Sequence, residues 1–352
     1  DKTATTEAPK TDAPAAPAAT QAETTVSDEP VTIHCLHYMV EGNKSAGLEK
    51  IQAAFSEKYP NVTFENSAYS QGTDYFAQLQ TAIASGDMPE IMMGNPGLYT
   101  DLIDGGYVMD LTGNAVIEGL GLTQADMGDV SYQGKWYAFP VDFKTWGVYY
   151  NKTIFAENGI TELPTTWEEF IDLCQKLKDN GVTPLANGIA SNWDILECVL
   201  LGMVPNYIPF EERAAYEKGE KKMNDETWVR IYTDFAKLAP FFPEGFESID
   251  NDNANTYFGL GQAAMLIDGS WSCGVLNDKN NYDIDLGFMA VPPPEGNEPG
   301  MCLHPDMGIA GNPATQHPEE VRAFLQWLAS PEGAQISADY QPGGYFPLIS
   351  TS

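Results

Sequence analysis

The sequence predicts an α/β protein made of two folded bodies that extended segments connect. Between Val31 and Gly94, short apolar runs alternate with helical patterns, as in parallel sheets that carry helices on both faces. The chain has 352 residues, the length expected for about two domains. Residues 136–150 form one β-rich segment that is too long for an ordinary strand, so we expect it to cross between the two bodies.

The first body begins with three strand patterns, in the order Val31–Leu36, Val62–Phe64 and Pro89–Met93. Apolar residues at intervals of three to four predict a helix after each of the first two strands. The first helix contains Leu48 and Phe55 and ends before Pro60, and the second contains Phe76 and Leu79. Strand and helix therefore alternate throughout this part of the chain.

Three helices are predicted further along the chain. Thr166 and Glu169 form a capping box, which predicts a helix immediately after Thr166. A second helical pattern covers residues 228–238, and Pro318 begins a third. Each helix contains a tryptophan at helical spacing with other apolar residues, and these are interpreted as core residues: Trp167, Trp228 and Trp327.

Charge and cysteine content bear on the class of partner. The chain has 50 acidic against 18 basic residues, a formal net charge of −32, which disfavours nucleic acids and anionic membrane surfaces as partners. No apolar run approaches the ~20 residues of a membrane span. The five cysteines are scattered without a Cys-x-x-Cys pair, so their spacing suggests neither a disulfide framework nor a zinc site. No cofactor is expected.

Residues 1–30 consist mainly of Ala, Thr and Pro and contain no aromatic residue. Such a segment cannot bury enough apolar surface to offset its ordering entropy, which predicts a disordered linker. A tether of this kind fits a surface-anchored protein whose anchoring segment was left out. The alternative is an ordinary ragged terminus.

The segment 259–271 carries the strongest candidate site. Its apolar run, Ala263–Ile267, predicts a buried strand, and the residues that follow include Asp268, Ser270 and Trp271. A neutral polyhydroxylated ligand needs an aromatic plate for its C–H faces and polar partners for its hydroxyls. Trp271 would be the plate, and Asp268 and Ser270 would be polar partners. The alternatives are that Trp271 covers the core and that the other two cap the turn.

Further candidates lie on the polar loop around residue 190 and on the crossing segment. Trp193 and Asn187 belong to the loop, where a tryptophan is not needed for core packing. On the crossing segment, strand alternation places Asp142, Lys144 and Trp146 on one face, which makes them candidates as a group.

The loops of the first body supply the opposite side of the predicted site. His37, Tyr38 and Glu41 follow the first strand, and Asn95 follows the third. Sheets with parallel strands bind ligands at the carboxyl ends of those strands, so both loops are candidates. Tyr345, near the end of the chain, would close the site from the second body.

Several segments occur in an order that is typical of one family. Gly134-Lys135-Trp136-Tyr137-Ala138-Phe139-Pro140 precedes Tyr149-Tyr150-Asn151-Lys152, residues 258–271 come later, and Gly343-Gly344-Tyr345-Phe346-Pro347 lies near the end. With the opening strand–helix–strand and residues 75–94, they resemble the extracellular solute-binding proteins of ABC importers, in particular the sugar-binding group that includes the maltose-binding protein. The resemblance identifies residues 134–152 with the first crossing between lobes and residues 258–271 with the return crossing.

The resemblance implies a periplasmic-binding-protein-like fold of two lobes, each a mainly parallel sheet flanked by helices, joined by crossing hinge strands. Lobe one would take residues 31–140 and 271–308, and lobe two residues 143–268 and 309–352. A ligand in the cleft would favour the closed state by its extra contacts there. Family members usually continue past the Gly343–Pro347 loop, so the second lobe is expected to be truncated or completed differently.

The implied function is capture of a carbohydrate, a small oligosaccharide, for delivery to the membrane permease subunits of an ABC importer. The protein is expected to be an extracellular monomer, tethered to the outer face of the cell membrane as a lipoprotein of a Gram-positive bacterium. Within the same class, the ligand could instead be a peptide or a polyol. A secreted glycoside hydrolase also stays open, since that chemistry needs only two suitably spaced carboxylates. Two segments resemble the nucleophile-elbow and phosphate-loop motifs, but neither matches its motif.

Overall fold

The computed structural model describes residues 26, 28–40, 42–69, 73–94, 100–114, 128–140, 142–305, 308–340 and 346–347. The predicted linker, residues 1–30, lies almost entirely outside these ranges, and so do three candidate site residues, Glu41, Asn95 and Tyr345. None of the helices in the described ranges is long and apolar enough to cross a membrane.

The described residues form short strands and helices of moderate length. The strands are β1 (Val31–His37), β2 (Val62–Ala68), β3 (Ile91–Met93), β4 (Ser131–Tyr132), β5 (Lys135–Trp136), β6 (Phe139–Pro140), β7 (Asp142–Lys144), β8 (Trp146–Asn151), β9 (Met265–Gly269), β10 (Leu286–Met289), β11 (His304–Pro305), β12 (Gly308–Gly311) and β13 (Phe346–Pro347). The α-helices are α1 (Gly42–Lys58), α2 (Thr73–Ser85), α3 (Thr100–Asp104), α4 (Lys152–Glu157), α5 (Trp167–Asp179), α6 (Asn192–Asp194), α7 (Phe210–Glu217), α8 (Glu226–Ala236), α9 (Asn251–Gly259), α10 (Ser272–Asn277), α11 (Pro318–Leu328) and α12 (Pro331–Tyr340). A π-helix covers Ile195–Leu201, and short 3₁₀ turns cover Gly128–Val130, Val204–Asn206, Ala239–Phe241 and Phe246–Ser248.

The first body is built on a five-stranded sheet with the order β2-β1-β3-β12-β6. β1 pairs in parallel with β2 and β3, as predicted, whereas β12 runs antiparallel to β3 and β6. In its core, Phe55 of α1 makes edge-on ring contacts with Phe324 and Trp327 of α11. Helices from both ends of the described chain therefore complete one body.

The second body contains a three-stranded sheet with the order β10-β8-β9. Both pairs are antiparallel, so the expectation of a mainly parallel sheet is wrong for this body. β9 and β10 run parallel to one another, and β8 lies between them in the opposite direction. β8 directly follows the crossing strand β7 in the chain. The core includes Trp167 and Phe170 of α5, whose N-terminus carries the predicted capping box.

Three passages of the chain meet in a small hinge sheet with the order β11-β7-β13. β7 lies between β6 of the first sheet and β8 of the second, and β11 precedes β12 of the first sheet. β13 follows α12, and both β11 and β13 pair antiparallel with β7. The long β-rich segment is therefore a crossing, as predicted, although it consists of several short strands.

The return crossing lies later in the chain than the resemblance implies. It was expected at residues 258–271, but β9 pairs with β8 and α10 packs within the second body. The chain returns instead through residues 304–308, where β11 leads into β12. A fully buried apolar run fits an internal strand as well as a crossing, so the pattern alone did not separate the two.

The lobe boundaries shift accordingly. Residues 276–291 contribute to the second body's clusters, and residues 309–336 contribute to the first body's cluster. The expected division placed 271–308 in lobe one and 309–352 in lobe two, so the packing differs from it at both segments. Among the described residues, the second body is thus one continuous stretch of chain inserted into the first.

The carboxyl ends of β1 and β3 lie at the hinge edge of the first sheet. The amide of Gly94, just after β3, donates to the carbonyl of Gly308 at 2.8 Å. Gly308 in turn pairs with Pro140, immediately before the hinge strand β7. Because β1 is parallel to β3, His37 and Tyr38 lie at this same edge.

Candidate functional site

Three tryptophans form an indole cluster beside the hinge: Trp146, Trp193 and Trp271. Trp146 is the first residue of β8 and pairs with Gly269 at the end of β9, so the sheet register brings Trp271 close to it. The rings of Trp193 and Trp271 have centroids 6.0 Å apart and are tilted by 52°. The sequence assigned all three to one ligand site, and the structure brings them together.

The position of the Trp271 ring depends on a glycine. The ring folds back over Gly269, so closely that a Cβ at this position would clash with ring atoms. Any side chain at residue 269 would therefore displace the indole. The glycine of the Asp-Gly-Ser-Trp turn is thus required for close approach of the aromatic ring.

An ion pair lies against the indole cluster. Lys144 Nζ is 2.6 Å from Glu197 Oε1 and 4.9 Å from the centroid of the Trp271 ring. The Lys144 side chain is 9% exposed and that of Glu197 is 29% exposed, so the pair is partly shielded from water. Cation–π contact and ion pairing together fix an ammonium group and a carboxylate beside the aromatic faces.

Glu197 was not predicted from the sequence. It lies on the π-helix Ile195–Leu201, which directly follows α6 and its Trp193. Single π-helical turns are rare and occur frequently at functional sites. The available signal was a lone acidic residue inside an otherwise apolar run, but a solvated helix face explains such a residue equally well.

Asp268, next to the indole cluster in sequence, is enclosed within the second body. The residue is fully buried, and its carboxylate accepts hydrogen bonds from the Gly269 amide, Ser272 Oγ and Asn255 Nδ2. Burial raises the pKa of Asp268, and these donors oppose that shift. In this structure the oxygens of Asp268 accept hydrogen bonds within the fold, and its contact with a ligand hydroxyl stays a prediction.

Ser270 and Asn187 are also used within the fold. Ser270 N donates to Thr145 O at 2.8 Å, and Thr145 N donates to Ser270 Oγ at 3.3 Å, which ties the turn to the crossing. Asn187 is fully buried; its Nδ2 donates to Ile267 O at 2.7 Å, and Ile267 N donates to its Oδ1 at 2.9 Å. Both residues support the strand that carries Trp271 and are not exposed ligand contacts.

The first-body candidates lie at the hinge edge of their sheet. His37 is buried, its Nδ1 accepts from the Met39 amide at 3.2 Å, and burial lowers its pKa. Tyr38 is half-buried and meets Tyr75 edge-on, with ring centroids 5.4 Å apart. Of the described candidates on this side, Tyr38 offers an aromatic face, whereas His37 is a packed residue. Asp142 lies on β7, and its backbone pairs with Pro347.

Behind the indole cluster lies a group of potential metal ligands, the carboxylate–thiol cluster of Asp194, Cys198 and Asp268. One ligand atom from each residue lies within 4.8 Å of the others, and all three residues are buried. Burial and the neighbouring Asp268 raise the pKa of Asp194 to about 8. Burial also raises the pKa of the Cys198 thiol.

Comparison with known proteins extends these observations. The family model described as bacterial extracellular solute-binding protein matches residues 41–335. The multiple sugar-binding protein of Streptococcus mutans is 22% identical over 328 residues, 88% of this chain and 73% of that protein. A probable sugar-binding periplasmic protein of Rhizobium meliloti is 26% identical over 272 residues, 75% of this chain and 64% of that protein. The chain spans 59% of two further curated relatives.

Solved structures share the two-lobed α/β fold. A chitin oligosaccharide binding protein superposes with a TM-score of 0.77 at 22% identity, covering 92% of this chain and 83% of that one. A protein from a study of xylan utilisation by Caldanaerobius polysaccharolyticus gives a TM-score of 0.79 at 20% identity, with 91% and 82% covered. At this level of identity the likeness concerns the fold.

Proposed function

The chain belongs to the bacterial extracellular solute-binding proteins, and on this basis we propose that it captures a carbohydrate for an ABC-type importer. The ligand class we favour is a small neutral oligosaccharide. Membrane permease subunits would receive it, and the protein would act as a monomer tethered outside the cell by a lipid anchor. Binding, without chemistry on the sugar, is the proposed activity.

The indole cluster beside the hinge is the observation that carries this proposal. Sugar rings present C–H faces that pack on aromatic plates, and their hydroxyls need paired donors and acceptors. In this proposal the cluster would supply the plates, and Lys144 and Glu197, whose Nζ and Oε1 are 2.6 Å apart, would supply a donor and an acceptor. Because these two charges offset each other locally, the site suits an uncharged ligand better than an ionic one.

The names of relatives support the same ligand class. Proteins from Streptococcus mutans and Rhizobium meliloti are named as sugar-binding, and a structural neighbour is named for chitin oligosaccharides. A glycoside hydrolase is disfavoured at this location, because the close acidic pair Asp194 and Asp268 is buried and cannot flank a glycosidic bond.

Thermal unfolding with a panel of ligands tests the proposal. We expect one family of neutral oligosaccharides to raise the melting temperature and to be recovered intact, since a ligand at a hundred times its Kd adds about 2.7 kcal/mol to stability. Trp271→Ala should abolish the shift. Phe210→Ala removes an exposed aromatic ring elsewhere in the second body and should leave the shift unchanged.

Other outcomes would redirect the assignment. Shortened sugars after incubation with the purified protein would indicate a hydrolase. A shift given by peptides or polyols and by no sugar would keep the binding function and replace the ligand class. A full shift in a folded Trp271→Ala variant would place the ligand elsewhere.

A further inference from the structure

The carboxylate–thiol cluster of Asp194, Cys198 and Asp268 has an arrangement that solute binding does not use. Asp194 and Cys198 are four residues apart, across the junction of α6 and the π-helix, and so share one face. Asp268 meets them from the end of β9. The scattered cysteine spacing gave no metal signature, because the ligands converge only through the fold.

The distance between the thiol and one carboxylate oxygen fits a tetrahedral metal centre. Cys198 Sγ and Asp268 Oδ1 are 3.6 Å apart, and the thiol donates to that oxygen. Zinc bonds to sulfur at about 2.3 Å and to oxygen at about 2.0 Å, which places two tetrahedral ligands roughly 3.5 Å from each other. A metal ion could therefore take the place of the thiol proton with little movement of either atom.

Unpartnered buried oxygens provide independent support. Asp194 is 1% exposed; the side chains of Asn251 and Cys198 interact with its carboxylate, but its Oδ1 makes no hydrogen bond of normal geometry among the described residues. Asn255 is 7% exposed; its Nδ2 donates to Asp268 Oδ2 at 3.0 Å, while its Oδ1 has no partner within the described ranges. Buried polar atoms are rarely left without a partner in native structures, so each such atom needs an explanation.

We propose that Asp194, Cys198 and Asp268 bind a zinc ion, with the amide oxygen of Asn255 as the candidate fourth donor. A thiolate with carboxylate and amide oxygens favours zinc over calcium or magnesium, which prefer all-oxygen sites. Zinc binding displaces the protons of the coordinating thiol and of any protonated carboxyl. The ion lies directly behind Trp146 and Trp271, since Cys198 packs against both rings.

Metal analysis of the full chain, produced without a polyhistidine tag, tests this site. We expect one zinc ion per chain after dialysis, a higher melting temperature with added Zn²⁺ than with EDTA, and no shift with Ca²⁺ or Mg²⁺. Cys198→Ser and Asp194→Asn should lose the zinc. Cys174→Ser, which alters a buried cysteine in the core of the second body, should retain it.

Cobalt substitution keeps the proposal testable if the variants fail to fold. Co²⁺ added to the unaltered protein should give the near-ultraviolet absorption band of a thiolate–cobalt bond, and Zn²⁺ should remove it. The proposal is overturned if zinc neither binds nor stabilises, in which case the cluster holds a shared proton. It is equally overturned if folded Cys198→Ser keeps its zinc, or if cobalt binds without the thiolate band.

Discussion

The side chain of Asn187 takes the place of a neighbouring strand beside β9. Its amide makes the two hydrogen bonds with Ile267 that a neighbouring backbone would make, and it does so in a fully buried position. The sequence suggested a ligand contact because Asn187 lies on the same polar loop as Trp193. The decisive fact is the register of β9, which lies 80 residues away.

Replacing Asn187 by Ala should therefore affect stability more than affinity. Both backbone groups of Ile267 would lose a buried partner, at about 1–3 kcal/mol each, so we expect the free energy of unfolding to fall by roughly 2–6 kcal/mol. Urea denaturation measures this change, and ligand titration below the transition should give a nearly unchanged Kd. Unchanged stability with lost binding would return Asn187 to the ligand site.

The structure brings together those single-residue candidates that lie near the crossing, and it shows that others have their hydrogen-bond partners within the fold. The aromatic candidates Trp146, Trp193 and Trp271 meet because each lies next to a strand end or helix start near the crossing. Asp268, in contrast, is satisfied by Asn255 and Ser272 and approached by Cys198, none of which the linear pattern connects with it. A polar residue at a turn does not reveal whether its partner is a ligand or the protein itself.

At the level of elements, the capping box at Thr166 shows how local rules define a boundary. Thr166 Oγ1 accepts from the Glu169 amide at 3.2 Å, and Glu169 Oε2 accepts from the Thr166 amide at 3.3 Å. Both partners lie within four residues, so the sequence predicts the start of α5 correctly. The π-helix had no such local signal and was not predicted.

Thr166→Ala should lower the free energy of unfolding by about 1 kcal/mol, within the 0.5–2 kcal/mol that lost N-caps give. Thr233→Ala, at an exposed position inside α8, serves as the control and should change stability by less than about 0.5 kcal/mol. Both variants should bind ligand normally, because neither residue touches the indole cluster. If the unfolding midpoint of Thr166→Ala were unchanged, the hydrogen bonds between Glu169 and Thr165 would be sufficient to maintain the helix N-terminus.

For the whole molecule, the sequence predicted two α/β lobes and a crossing, but it misplaced the return. The alternation of strands and helices indicated the parallel part of the first sheet. The second sheet is antiparallel, with strands β8, β9 and β10, and β12 joins the first sheet from much later in the chain. Both features depend on strand pairings over long sequence separations, which apolar runs do not encode.

A three-stranded hinge predicts that ligand changes the shape of the molecule. Small-angle X-ray scattering should show a smaller radius of gyration when saturating sugar is added, because contacts from both lobes favour the closed arrangement. Trp271→Ala with the same sugar concentration should scatter like the ligand-free protein. An identical curve for the ligand-free protein and a proven complex would contradict closure.

The insertion of one body within the other also dictates an order of events during synthesis. Ribosomes release Phe55 early, yet Phe324, which packs on it, follows only after the whole of residues 142–305. The second body can therefore fold while the apolar core of the first body is still not covered by α11. Such an interval favours self-association, so newly made chains should depend on holding chaperones most strongly just before α11 emerges.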